Sequence, residues 1–490
     1  LLALSSGRIQ VAQTHQRVAI PDTPAGKQLK RWLEVFAAGK QEEFARFVTA
    51  HYSKSLIEQQ GSAVNWADRH ARTFLDARSF AVRRVEKSTP EEIVVLVQAS
   101  LTDLWYRLTM KVETGPPYSI AEYGSQRVRP PVGFQQSIHE PELIRQAGAF
   151  MNKLARADAF SGTFLIAQNG RPLLMRAYGD ASKAHQIPNR LDTRFNIASI
   201  GKNFTAVSIM QLVEQGKLSL TDKVGRILPD YPSKDVRDRV TIAHLLSHSS
   251  GLGDIHGPKY VAAKDMLREV KDYLPLFSDL QLSFQPGERM QYSNAGYILL
   301  GAIIEKVSGE NYFDYVREHI FIRSGMIHSG FYEADVDTLK LATGYTNYRE
   351  LGDDFQQFEL GQRRNTLRYG TIRGNPQGGA YSTVGDLWRY SLALRQHKLL
   401  SATSLALMTT NKYFFRKYGA GDIYYGYGFE LEKINGKRVI GHGGGDLGIS
   451  SVIRWYPDSG NYTVVVLSNY DRGGIIAIDK LQELITQGKD

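Results

Sequence analysis

The 490 residues predict an α+β protein built from two units. Three observations predict it. An aperiodic, Gly- and Pro-rich stretch, Gly124-Ser125-Gln126-Arg127-Val128-Arg129-Pro130-Pro131-Val132-Gly133, separates a smaller unit from a larger one. Apolar spacing in the smaller unit runs helices first and strands afterwards. The larger unit opens on a helix and a hairpin, turns helical in its middle and returns to strands near its end.

The elements follow in order. Residues 1–22 read as a leader remnant or a disordered tail: Leu1-Leu2-Ala3-Leu4 looks like the end of an apolar segment, and Val11-Ala12-Gln13 suits a signal-peptidase site. That reading implies a secreted or periplasmic protein. In the unit 23–124, Leu29, Trp32, Leu33 and Phe36 mark one amphipathic helix, Phe44 and Phe47 a second, and 66–75 a third. Extended runs follow at 80–86, 93–99 and 104–112, with a short one at 119–123. Helices followed by an antiparallel sheet make an α+β unit. Residues 125–137 form the linker. The unit 138–488 starts with a helix over 141–155, with Pro141 in its first turn. Asn169-Gly170 between apolar runs is a hairpin signal. Late strands are expected at 427–433, 437–441, 448–456 and 462–468, so that one antiparallel sheet draws on both ends of the unit and a helical lobe on its middle.

Composition narrows the function classes. Apolar residues make 42% of the chain and charged residues 22%, which are globular values. The net charge of +10 is scattered, without a basic tract or zinc-finger spacing, so no nucleic-acid partner is expected. No apolar run is long enough for a transmembrane span. The chain has no cysteine, which excludes a disulfide framework, a thiol nucleophile and a Cys-ligated metal. His244 and His248 have i, i+4 spacing, but Leu245 stands where a zincin has Glu, so structural roles are expected for both. No metal or cofactor is expected.

Chemistry concentrates in three segments. Ser199-Ile200-Gly201-Lys202 heads an apolar helix in which Ala206, Ile209, Met210 and Val213 share a face. Residues three apart on a helix are neighbours, so the Lys202 amine can reach the Ser199 hydroxyl. A serine becomes a strong nucleophile when a base takes its proton, and burial lowers a lysine pKa enough for that task. The bland alternative is a helix cap followed by an exposed lysine. Next, Tyr292-Ser293-Asn294 precedes an apolar helix. A tyrosine near a lysine is expected to lose its proton more readily, and Asn294 could donate to a substrate carbonyl. The alternative is a core tyrosine and a helix cap. Last, Gly441-His442-Gly443-Gly444-Gly445-Asp446 follows a strand. Its glycines let an acyl group lie against backbone, Gly445 could supply an oxyanion donor, and His442 could hold the tyrosine or a polar group of the substrate. The alternative is a flexible turn. There is no Gly-x-Ser-x-Gly elbow, because Ile197 stands where the first Gly belongs.

In this order the three segments resemble the serine β-lactamase and penicillin-binding-protein superfamily, in its class C-like branch of esterases, D-amino-acid peptidases and carboxypeptidases. Thr241-Ile-Ala-His244-Leu-Leu-Ser-His248-Ser-Ser-Gly251-Leu252 and Gly378-Gly-Ala-Tyr-Ser382-Thr383-Val-Gly-Asp386-Leu387, with its capping-box-like start, look like further segments of that branch. The resemblance covers 138–488 and implies a β-lactamase-like transpeptidase fold, an antiparallel sheet flanked by helices plus a helical lobe. The smaller unit resembles the NTF2-like fold in element order alone.

The resemblance implies that Ser199 is acylated and that Lys202 is its base. Tyr292 would carry protons for the leaving group and the attacking water, and Asn294 would position substrate. The N–H groups of Ser199 and Gly445 would form the oxyanion hole, with His442, Gly443 and Gly444 lining the substrate strand. Many β-lactamases have Lys-Thr-Gly where this chain has His442-Gly443-Gly444. A mostly neutral imidazole suits a substrate carboxylate less than a lysine does, which favours esters or D-amino-acid amides over β-lactams. The expected function is therefore a serine hydrolase acting on a small ester, amide or D-peptide. The alternatives are a penicillin-binding or peptidoglycan-sensing protein with little turnover, and a weak β-lactamase. A third assigns the N-terminal unit a ligand pocket or a homo-oligomer surface.

Overall fold

The structure is a computed structural model and describes residues 18–131, 138–333, 340–351, 354–367, 369–419 and 421–486. Most of the expected leader, and residues 132–137 of the expected linker, lie outside the described residues. Two compact units divide at Arg129 and Pro130.

The N-terminal unit begins with helix α1 (Pro24–Ala38), capped by the Thr23 hydroxyl, which accepts from the Gly26 N–H at 3.1 Å. Helices α2 (Gln41–His51), α3 (Lys54–Glu58) and α4 (Ala63–Ala77) follow. Four antiparallel strands then pair in sequence order: β1 (Phe80–Ser88), β2 (Glu92–Ala99), β3 (Trp105–Val112) and β4 (Ile120–Val128). Trp32, Phe36, Phe44, Trp66 and His70 fill the core. The linker was expected over 125–137, but β4 continues to Val128, with Ser125 opposite Leu108 and Val128 opposite Trp105. The Gly-Ser-Gln-Arg run suits a half-exposed strand as well as it suits a coil, and cross-strand pairing decides between them.

In the C-terminal unit α5 (Glu140–Arg156) leads into β5 (Gly162–Gln168) and β6 (Arg171–Tyr178). The late strands are β7 (Tyr413–Tyr418), β8 (Gly421–Tyr425), β9 (Glu430–Ile434), β10 (Lys437–Asp446), β11 (Ile449–Tyr456) and β12 (Tyr462–Ser468). They form one eight-stranded antiparallel sheet in the order β7-β8-β9-β10-β11-β12-β5-β6. The sheet is thus built from both ends of the unit, as expected. Every residue of β12 is buried, which requires cover on both faces. Helix Val384–Arg395 packs on β12 and β5, and helix Gly473–Thr486 packs on β12, β11 and α5.

The helical lobe centres on α6 (Gly201–Glu214), whose residues from Gly201 to Leu212 are all buried. Beside it lies α7 (Asn294–Ser308), capped by Ser293. Thr383 caps the helix that follows it, but Asp386 does not reach back to complete a capping box. Its carboxylate instead accepts from the His328 N–H at 2.7 Å and the Ser329 hydroxyl at 2.8 Å.

Candidate active site

Ser199 lies in a single 3₁₀ turn, Ala198–Ile200, at the head of α6. Backbone holds this turn from two sides. A Cβ on Gly444 of β10 would stand 2.1 Å from the Ile197 carbonyl oxygen and 3.1 Å from the Ser199 nitrogen. A Cβ on Gly378 would stand 2.4 Å from the Ala198 carbonyl oxygen and 3.1 Å from the same nitrogen. Only glycine permits either approach. Ala198 has φ +42°, a strained backbone for a residue with a Cβ, and its N–H donates to the Asn196 amide oxygen at 2.8 Å.

The expected reach of lysine to serine is present. Lys202 Nζ lies 3.2 Å from Ser199 Oγ, 2.8 Å from Asn294 Oδ1 and 2.7 Å from the Gln377 carbonyl oxygen. It is fully buried. Burial pulls its pKa down to about 7, against a smaller upward pull from Asp254. Near neutral pH the amine is therefore divided between its base form and its ammonium form.

Tyr292 lies beneath Lys202, whose Nζ is 4.8 Å from the ring centre, with the Ser199 side chain near its phenol. The readily lost phenolic proton expected from the sequence is contradicted. Burial pushes the phenol well above its ordinary value, and the nearby Ser199 side chain offsets only part of this. A half-neutral lysine supplies too little positive charge to reverse that cost. Tyr292 is therefore a neutral phenol near pH 7.

Asn294 is bonded at both ends. Its Oδ1 accepts from Lys202, and its Nδ2 lies 3.1 Å from each carboxylate oxygen of Asp254. The amide thus orients the lysine, where the sequence pointed to substrate positioning. Asp254 escaped sequence reasoning because nothing near it in the chain marks it as a partner of residue 294. The Gln377 contact had no signal either, since any residue has a carbonyl.

His442 is buried, and its tyrosine partner is Tyr425, not Tyr292: Nε2 is 2.8 Å from the Tyr425 hydroxyl, and Nδ1 contacts the Gly443 carbonyl at 2.5 Å. Burial pulls its pKa down to about 4, against an upward pull from Glu430. The glycines beside it belong to strand β10, which runs through to Asp446, and not to a turn after the strand. Gly445 is exposed opposite Ser450 and lines a cavity of about 470 Å³ together with Ser199 and Asn294. Among the described residues, that lining contains Asp265 and Asp446 but neither lysine nor arginine.

His244 and His248 do not converge on a metal. The His244 ring accepts the Thr241 N–H at 3.2 Å in a capping box, and His248 is buried beside Tyr292. No group of three or more potential metal ligands occurs among the described residues.

With this geometry in view, known proteins give a consistent result. The Beta-lactamase family model matches residues 144–483. The chain belongs to the beta-lactamase family. Penicillin-binding protein 4* of Bacillus subtilis is 32% identical over 323 residues, covering 64% of this chain and 69% of that protein. A penicillin-binding protein from Bacillus halodurans is similar in structure, with TM-score 0.60 and 35% identity over 68% of this chain and 98% of that one. D-amino acid amidase from Ochrobactrum anthropi shares the fold at TM-score 0.58 and 22% identity, over 70% of this chain and 99% of the amidase.

Proposed function

We propose that this family member is a serine hydrolase that cleaves a carboxylester or a D-amino-acid amide or peptide through an acyl-enzyme on Ser199. One observation carries the reading: a fully buried lysine amine, titrating near neutrality, 3.2 Å from a serine hydroxyl. The neutral Lys202 amine takes the Ser199 proton as Oγ attacks the carbonyl carbon. Charge develops on the carbonyl oxygen, where the N–H groups of Ser199 and Gly445 serve as donors. Each such donor contributes about 2.7–4 kcal/mol to the transition state. The neutral Tyr292 phenol gives its proton to the leaving alkoxide or amine and regains one from the Lys202 ammonium. Deacylation reverses the route, with water as nucleophile.

Preference for an ester or amide without a recognised carboxylate is supported by His442, whose two nitrogens are engaged within the protein. Export to the periplasm or the exterior belongs to the same proposal; no described helix is long and apolar enough to cross a membrane. So does an NTF2-like N-terminal unit that joins subunits. An unchanged number of protomers per particle by sedimentation after removal of residues 1–130 would discard that part.

The test is intact-mass analysis after a fluorophosphonate probe, with p-nitrophenyl ester turnover measured in parallel. One adduct on wild type and none on Ser199→Ala, with turnover reduced about 10⁴-fold or more, is expected. Turnover by Ser199→Ala at the wild-type rate would end the proposal. A stable acyl adduct without turnover would favour the penicillin-binding reading instead.

A further inference from the structure

We propose that His248 is a positioning residue for Tyr292, holding the phenol in register with Ser199 and Lys202 through three simultaneous contacts. The inference rests on the hydrolase reading above. Each contact addresses a different residue of the 291–293 segment. The His248 carbonyl accepts the Gln291 N–H at 2.9 Å. Its ring Nδ1 accepts the Ser293 N–H at 3.1 Å. Its ring stacks on the Tyr292 ring with centroids 4.2 Å apart and planes 29° apart. The residues before and after Tyr292 are thus fixed at the backbone while the tyrosine is fixed at its face. Phe415 also stacks on the Tyr292 ring, with centroids 5.7 Å apart.

The position suits histidine for reasons beyond packing. Acceptance at Nδ1 places the proton of the neutral ring on Nε2. That atom is buried and has no hydrogen-bond partner among the described residues. The ring edge is enclosed by Tyr425, whose centroid is 4.7 Å away, and by Tyr297 at 4.9 Å. Burial and the nearby Lys202 keep the ring uncharged, which preserves the Nδ1 lone pair that the Ser293 N–H needs. The backbone of His248 has φ +57°, a left-handed conformation that carries a cost for most residues. A buried polar atom without a partner and a strained backbone at one residue are costs that stability alone does not explain. Holding the proton carrier in place accounts for both.

A positioning role separates from a merely structural one in a double-mutant cycle with Tyr292→Phe, which keeps the stacking ring and loses only the hydroxyl. His248→Asn supplies a side-chain acceptor and tolerates positive φ, but lacks the ring. His248→Gly satisfies φ and removes both ring and acceptor. Hydrolysis of a p-nitrophenyl acyl ester is followed for each, alone and with Tyr292→Phe, on protein verified as folded by near-ultraviolet circular dichroism. In the wild-type background kcat is expected to fall about 10- to 100-fold for His248→Gly and less for His248→Asn, with KM nearly unchanged. In the Tyr292→Phe background neither variant should lower kcat further. Equal losses in both backgrounds would overturn the proposal, as would wild-type kcat for a folded His248→Gly. Wild-type kcat for Tyr292→Phe alone would instead overturn the role given to Tyr292, and this inference with it.

Discussion

Replacing Asp254 by Asn should move the pH at which Ser199 becomes reactive, and should move it downward. The substitution removes a negative charge but keeps an oxygen able to accept from Asn294 Nδ2, which now lies 3.1 Å from both carboxylate oxygens. Lys202 lies beyond the amide, 2.8 Å from Asn294 Oδ1. Asp254 favours the ammonium form, so its loss lowers a lysine pKa that already stands at about 7. Two hydrogen bonds and the width of an amide separate the charges by ~7 Å, and the carboxylate side chain is 37% exposed. With solvent screening at an effective dielectric of ~40, the interaction is ~1 kcal/mol, or somewhat under one pKa unit. The assay is the rate of fluorophosphonate labelling against pH, which reads the Lys202–Ser199 step without a leaving-group proton. The wild-type rate should rise through pH ~7 as Lys202 loses its proton, and the Asp254→Asn rate should rise about 0.5–1 unit lower. A midpoint that stays in place or moves upward would refute the electrostatic link. A wild-type profile flat between pH 5 and 9 would refute Lys202 as the base.

Tyr292→Phe should retain its fold and lose about 10²- to 10⁴-fold in kcat, the range for an acid–base group; measurement of kcat on an ester and on an amide would check this, with the larger loss on the poorer leaving group. Gly444→Ala and Gly445→Ala should differ sharply. The first puts a methyl 2.1 Å from the Ile197 carbonyl oxygen and should cost about 1–3 kcal/mol with loss of labelling, while the second meets nothing closer than 3.8 Å and should label normally; urea melts with probe labelling would decide. Lys202 should also shape stability. Its folded pKa lies below its unfolded value of 10.5, so the unfolded chain binds the extra proton between pH ~7 and ~10.5, and stability rises with pH across that window. The stability gap between Lys202→Met and wild type, from urea melts at stepped pH, should change in favour of wild type by up to ~1.4 kcal/mol per pH unit there. A gap independent of pH would contradict the depressed pKa.

What could be read from the residues has a physical pattern. The Ser199–Lys202 contact is local, set by helix spacing, and needed no tertiary knowledge. Strands β5 and β12 were legible to the residue or nearly so, because uniformly apolar runs bounded by Asn-Gly and Ser-Gly turns leave little choice. Strands β7 and β8 went unread: Arg416 and Lys417 in β7, and glycine and aspartate at the head of β8, blur the alternation that marks a strand. Gly444 stood out as glycine, but its cause is the backbone of Ile197–Ser199, more than two hundred residues away in sequence. The charge state of Tyr292 was misjudged because burial, which sequence does not price, outweighs a neighbouring amine. Asp254 and Tyr425 act through partners on other elements and have no local mark at all.

The sheet order carries a consequence for how the molecule comes into being. The β5–β6 hairpin is made early, yet the inner neighbour of β5 is β12, which begins at Tyr462. Throughout synthesis of the intervening chain, β5 offers an unpaired apolar edge, the kind of surface that recruits chaperones or aggregates. Strand β10, against which the Ser199 turn is seated, likewise comes after nearly all of the helical lobe. A growing or prematurely ended chain therefore holds its serine and lysine without the wall that aligns them. On the proposed mechanism, reactivity at Ser199 would arrive only with these late strands in place.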